Sequence, residues 1–457
     1  MGENARPSTQ VRHGEIWWLW AVAVMALVPA GAMGATAWEL TPRFGTELSY
    51  ETNPSNTSRR SDEDDVVILM VVPEARMAWR SQKSSLNFNP QLRFRDDYGN
   101  DSNYQLDGTD VLLPASARYR GLRSEANVGL GYSQIPSREA DYQVVNPNTP
   151  LPPGGVGCAV DARGRCKVDE TQTRWYINPG YTFNVSPRSV VDVNGGFTTI
   201  RYDEAEITGR YDYDYINGSL SFTRLLTEQH RLSLSFNADR FEADQDIGSV
   251  KNTTDTLGVS LGYEYALSPA TSLTVSGGAS VSDFSIDGRV TVGGMPCFDP
   301  NTDQFVLCET KGEDSNFVGE LFLRQQLDEA ITAQVGISRS IQPNSDGAKT
   351  TVDYATAFIQ RSFSQRLSAT AGVSYTKQEA IGASDIELLR QRFDRDYYRL
   401  ELGTSWQLSR NWSISGKYTY YFDDQSVVTP IGVGNQSVDS RNHIFGLGFQ
   451  YVGLPIR

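Results

Sequence analysis

Leu232-Ser233-Leu234-Ser235-Phe236-Asn237-Ala238-Asp239 alternates apolar and polar side chains at every step. A period of two assigns one set of side chains to each face of an extended strand, which no helical period does. The same rhythm runs through Leu86-Asn87-Phe88-Asn89-Pro90-Gln91-Leu92-Arg93-Phe94-Arg95 and through Leu400-Glu401-Leu402-Gly403-Thr404-Ser405-Trp406-Gln407-Leu408. A soluble sandwich uses strands of about five or six residues. These alternating runs extend over roughly 10 to 15, enough for a tilted strand to cross a bilayer.

Between the runs, two kinds of connection take turns. Tight ones share a chemistry: Asn184-Val185-Ser186-Pro187-Arg188-Ser189, Leu267-Ser268-Pro269-Ala270-Thr271, Phe363-Ser364-Gln365-Arg366-Leu367 and Leu408-Ser409-Arg410-Asn411-Trp412. The others are long, polar and irregular. Short periplasmic turns alternating with long extracellular loops are the signature of a bacterial membrane barrel. Strands are predicted near 40–51, 66–80, 85–97, 109–120, 124–136, 169–185, 190–203, 211–226 and 231–243. They continue near 253–267, 272–286, 315–327, 331–342, 350–364, 367–379, 395–409, 412–423 and 438–452. The expected fold is all-β: a transmembrane antiparallel up-and-down barrel of about 18 strands, an even number because both ends lie in the periplasm.

Composition agrees with such a barrel. Mean hydropathy over the 457 residues is −0.41, which a barrel reaches because only alternate residues meet lipid. The formal net charge of −14, without a basic stripe, excludes nucleic acid as partner. The acidic run Ser61-Asp62-Glu63-Asp64-Asp65 reads as solvated charge or as a divalent-cation loop. The long apolar run Ile16 to Val28 is too short to span as a helix and is followed by Ala35-Thr36-Ala37. That pattern predicts a cleaved signal peptide over residues 1–37 and a barrel over 38–457. In an exported chain the close pairs Cys158 with Cys166 and Cys297 with Cys308 read as two local disulfides pinning long loops, or as free thiols.

Aromatic residues are expected in two girdles. Trp79, Phe183, Trp406 and Trp412, with the apolar Leu267, sit near tight turns; Tyr50, Tyr98, Tyr132, Tyr202, Phe241, Tyr375 and Tyr420 sit near the opposite strand ends. If apolar residues face lipid, their alternates line the lumen. That set includes Glu74, Arg76 and Arg80, then Arg93, Arg95, Arg118 and Arg120, and further round Arg174 with Tyr176, Glu320 with Arg324, and Arg399 with Glu401. The arginines on the early strands form either a track for an anion or structural ion pairs that stiffen the wall. Tyr211, Tyr213 and Tyr215 aim inward near the outer mouth, as a platform for sugar rings, or else belong to the interface girdle.

Enzyme chemistry finds no footing. His13, His230 and His443 stand beside no nucleophile and acid that would complete a triad. His443 shares the parity of Phe445 and is expected at the lipid interface. The acidic segments Asp203 to Glu206 and Asp239 to Asp246 offer carboxylate pairs for glycoside cleavage, but read as loops they are solvated charge. No cofactor or metal is implied.

The run Phe44-Gly45-Thr46-Glu47-Leu48-Ser49-Tyr50-Glu51-Thr52-Asn53-Pro54, followed by an acidic loop and a strand bearing Pro73 and Arg76, resembles the outer-membrane β-barrel porins encoded beside exopolysaccharide-synthesis genes. The resemblance implies a non-enzymatic conduit in the outer membrane, linked to exopolysaccharide export. Its expected partners are membrane lipid, an anionic polysaccharide, periplasmic export proteins and the barrel-assembly machinery. That machinery reads a terminal aromatic strand. Here Phe445, Leu447, Phe449 and Tyr451 fit the signal, but Val452-Gly453-Leu454-Pro455-Ile456-Arg457 follows it. The alternatives are a general diffusion porin for small solutes and a structural or adhesive surface barrel without transport.

Overall fold

Alternation over long runs leaves every backbone N–H and C=O seeking a neighbouring strand, and in lipid only a closed ladder satisfies them all. The computed structural model of the chain describes residues 37–53, 65–99, 108–136, 171–203, 211–245, 250–288, 298–299, 304–305, 308–343, 349–380, 395–428 and 435–456. Its wall begins with β1 (Ala37–Glu51), β2 (Val66–Arg80), β3 (Ser84–Phe88 with Gln91–Gly99), β4 (Gly108–Leu112 with Ala115–Arg120), β5 (Ser124–Pro136) and β6 (Thr171–Ser186). It continues with β7 (Ser189–Tyr202), β8 (Asp212–Leu225), β9 (His230–Gln245), β10 (Val250–Ser268), β11 (Thr271–Gly288) and β12 (Cys308–Gln326). It ends with β13 (Ile331–Pro343), β14 (Lys349–Ser362), β15 (Leu367–Ala380), β16 (Arg395–Gln407), β17 (Trp412–Val428) and β18 (Asn435–Val452). Each pairs antiparallel with the next, and β1 pairs with β18 from Arg43↔Val452 to Glu51↔Ile444, which closes the ring. The architecture is the expected 18-stranded barrel.

Two strands are interrupted where proline removes a ladder donor: β3 at Asn89-Pro90 and β4 at Leu113-Pro114. Their carbonyls still accept, Pro90 from Ala75 N at 3.1 Å and Pro114 from Asn89 N at 3.0 Å, so the wall stays continuous. Past β18 the tail keeps to the wall: Gly453 N donates to Pro42 O at 2.8 Å, and Leu40 exchanges two bonds with Ile456. At the tight turns a Ser, Thr or Asp side chain accepts from the backbone N–H two residues on. Examples are Ser186 from Arg188, Thr227 from Gln229, Ser268 from Ala270, Asp328 from Ala330, Ser364 from Arg366 and Ser409 from Asn411.

Outside, one apolar row crosses six strands in register: Val193, Leu220, Phe236, Val259, Ala279 and Phe317. Large apolar side chains such as Phe236, Leu257, Leu261 and Phe317 are exposed there, as only a lipid-facing surface tolerates. Rings collect at both strand ends. Trp412 packs on Phe449 and Tyr451 with centroids 4.9 and 4.6 Å away, while Tyr132 meets Trp175 at 4.4 Å and Tyr375 meets Tyr398 at 4.8 Å. A closed barrel with an apolar exterior and aromatic ends is an outer-membrane structure. Among the described residues no helix is long and apolar enough to cross a membrane.

Two girdle assignments are corrected. Tyr202 and Phe241 lie on the inner face, 5% and 0% exposed. Their parity opposes that of the outward Phe197 and Phe236; height along the strand suggested the girdle, but parity decides direction. Residues 1–36 of the expected signal peptide, Cys158, Cys166 and Cys297 fall outside the described residues; Ala37, its expected last residue, opens β1, and of Cys308 only the backbone, opening β12, is described.

Candidate functional site

Inward-facing residues of β2, β3 and β4 build the most heavily charged part of the lumen wall. Register places Glu74, Arg76 and Arg80 on one stave, Arg93, Arg95 and Asp97 on the next, and Asp110, Arg118 and Arg120 on the third. Six arginines thus face three acids on three adjacent strands.

Their local partners differ. Arg95 forms a two-pronged pair with Asp110, Nε to Oδ2 at 3.1 Å and Nη2 to Oδ1 at 2.8 Å, both side chains well buried. Arg93 stands opposite Asp110 in the register. Arg118 and Arg120 share Glu125 at 3.0 and 3.1 Å, each more than half exposed to the lumen. Glu74 reaches back to Arg43 at 3.6 Å rather than to Arg76. Arg76 is exposed and has no acidic partner among the described residues. The wall is therefore neither a bare cationic ladder nor a fully neutralised one. Pairing is most buried at Arg95, and the exposed Arg76, Arg118 and Arg120 lie toward the tight-turn end of these strands.

Around the ring, Arg174 lies over the Tyr176 ring at 5.0 Å, and that ring covers Gly131, where an added Cβ would collide at 2.1 Å. Glu320 and Arg324 share a face of β12 but make no ion pair among the described residues. Arg399 pairs with Glu401 and lies 5.3 Å from the Tyr421 ring; Lys417 approaches the same carboxylate at 3.4 Å. Below them a recess of about 310 Å³ is bounded by Glu47, Phe358, Glu401 and Lys417 over a floor of glycine and serine. The floor depends on missing side chains: a Cβ at Gly403 would meet Thr370 Oγ1 at 2.6 Å, and one at Gly448 would meet Ser415 Oγ at 2.5 Å.

Toward the long-loop end of β7, β8 and β9 the inner face turns aromatic. Tyr213, Ile200, Phe241, Tyr202 and Ala243 form a buried cluster, with Tyr211 and Tyr215 packed against it. Tyr202 Oη accepts from Gln172 Nε2 at 2.9 Å, and Tyr213 meets Phe241 at 5.3 Å. Tyr213 and Tyr215 thus point inward rather than into the girdle. Being buried, Tyr213 is packed wall rather than an open platform for a sugar. Asp212 and Asp214 take the other parity, where Arg201 Nη2 meets Asp214 Oδ1 at 2.9 Å.

One inner contact lay outside the expectations drawn from sequence. Lys349 Nζ, on β14, pairs with Asp239 of β9, donates to Thr256 Oγ1 of β10 at 2.6 Å and lies 5.8 Å from the Tyr215 ring of β8. Asp239 is thus a strand residue with a cationic partner, which removes it from the solvated acidic loop. The two strand histidines are belt residues: His230 stacks on Tyr265 at 4.6 Å, and His443 Nδ1 lies 3.0 Å from Tyr418 Oη. Among the described residues no group of three or more His, Cys, Asp or Glu is placed to hold a metal.

No protein-family model and no curated protein matches the sequence. Solved structures do resemble it in outline. The open form of the ferric-catecholate import receptor Fiu from E. coli K12 shares 8% identity over 90% of this chain and 81% of that one, with a TM-score of 0.46. OccAB4 of Acinetobacter baumannii shares 9% over 93% of this chain and 100% of that one, with a TM-score of 0.44. The copper transporter OprC shares 10% over 90% and 80%, with a TM-score of 0.42.

Proposed function

We propose that the protein is a passive outer-membrane conduit whose lumen favours anions and which serves exopolysaccharide export. The observation that carries the anion preference is the excess of arginine over acid on β2, β3 and β4, with Arg76, Arg118 and Arg120 exposed to the lumen. Guanidinium groups at fixed spacing on a water-filled wall attract carboxylates and hold them in a planar fork. A ring of 18 strands encloses space for an aqueous passage. The link to exopolysaccharide rests on the N-terminal sequence resemblance, and an acidic polymer is the cargo this wall would suit. Driving force would come from partners in the periplasm and inner membrane.

Planar-bilayer recording tests the reading. The mature protein should pass current with a reversal potential on the anion side, and an acidic oligosaccharide should block it from one face. Arg93→Glu with Arg118→Glu should move the reversal potential toward cation preference. Unchanged selectivity would dispose of the arginine wall. Current without any polymer block would favour a general diffusion porin, and absence of current a structural or adhesive barrel.

A further inference from the structure

The upper end of the β13–β14 hairpin parts from β12, while β14 keeps its ladder with β15 up to Thr350↔Ala380. β12 stays paired with β11 up to Gly288↔Cys308, but its ladder with β13 stops at Gly319↔Arg339. Beyond that point β13 pairs only with β14, as far as Pro343↔Lys349. A strand in a membrane wall buries at most one face in protein, so its exposure alternates. Lys349, Thr350, Thr351 and Val352 break that rule, since all four are buried, at 2%, 1%, 4% and 3% exposure. Both faces of the β14 end are covered, and Lys349 and Thr351 meet inward-facing residues of β9, β10 and β12, which places this end on the lumen side of that stretch of wall.

Its bed is visible on the facing strands. Thr254, Thr256, Ser280 and Ser282 line the inner face of β10 and β11, all nearly or fully buried. Of these, Thr256 Oγ1 accepts from Lys349 Nζ at 2.6 Å. Thr256 and Ser282 hydroxyls join at 3.0 Å, and Thr351 Oγ1 meets Asn316 Oδ1 of β12 at 3.5 Å. Lys349 then crosses to Asp239 on β9 and fixes the far end. We infer that this hairpin end is the element that sets the bore and selectivity of the conduit, with the Lys349–Asp239 pair as its anchor. In strand order β13 and β14 lie far round the ring from β3, so the hairpin end narrows the passage from the side away from the arginine-bearing wall. The bore assignment rests on the conduit reading, whereas the position of the hairpin does not.

Two readouts separate them. In the full-length protein carrying Lys349→Cys and Asp239→Cys, a short bis-maleimide should join the two positions, identified by mass as one linked peptide pair. In bilayers, Lys349→Ala and Asp239→Ala should each raise unit conductance about twofold and weaken anion preference. The exchange of Lys349→Asp with Asp239→Lys should restore both, and the linked form should stay at the lower conductance. Failure to link would overturn the placement and the inference with it. Linking with conductance indifferent to all three variants would overturn the bore role while leaving the conduit standing. Linking in a protein that passes no current in any form would overturn both.

Discussion

Asp110 shows what a single inner residue carries. It is 2% exposed and takes both prongs of Arg95, so the charges are desolvated together. Removing one partner of such a pair leaves the other buried and uncompensated, at a cost of about 3–5 kcal/mol. Asp110→Ala should therefore lower the unfolding free energy of the detergent-folded barrel, read from denaturant titration, by that much. Arg118→Ala, in a pair more than half exposed on the arginine side, should change it by less than about 1 kcal/mol and act on ion selectivity instead. Equal losses from the two substitutions would mean that the wall does not grade from a buried to a wet half. Direction was legible at this scale: the parity of Phe94 and Tyr119 sends Arg95 and Arg118 inward. Partnership was not, because Glu74 with Arg43, or Lys349 with Asp239, are neighbours only through register and through a departure from it.

At the scale of the strand, the two faces of β9 obey different chemistry. Phe236 belongs to the outer apolar row and Ser235 to the lumen. Phe236→Arg should destabilise insertion into vesicles by about 2–4 kcal/mol, whereas Ser235→Arg should leave the folded fraction nearly intact, as lumen substitutions do. Comparable losses would erase the distinction between faces. Strand position and number could be read from sequence because period two and the Ser, Thr or Asp turns recur without long-range information. Misplacing Tyr202 and Phe241 shows the limit. Height along a strand says that an aromatic lies near an interface, but a packed lumen also accepts aromatics at that height, and only parity distinguishes them. The parting of the β13–β14 end from β12 had no signal of its own: Ser340 to Pro343 and Lys349 to Val352 look like ordinary strand ends, and the contacts of Lys349 with Asp239 and Thr256 join strands far apart in sequence.

For the whole molecule, closure of β1 on β18 turns an amphipathic ribbon into a container with lipid outside and charge inside. Channel, anion preference and constriction all require that division to hold at every height. Nitroxide labels placed singly from Leu232 to Asp239 in the reconstituted protein measure it directly, through their collision rates with oxygen and with a water-soluble nickel chelate. The even positions should favour oxygen and the odd positions the chelate or neither, in strict alternation along the run. A flat profile, or an alternation of opposite phase, would contradict the account.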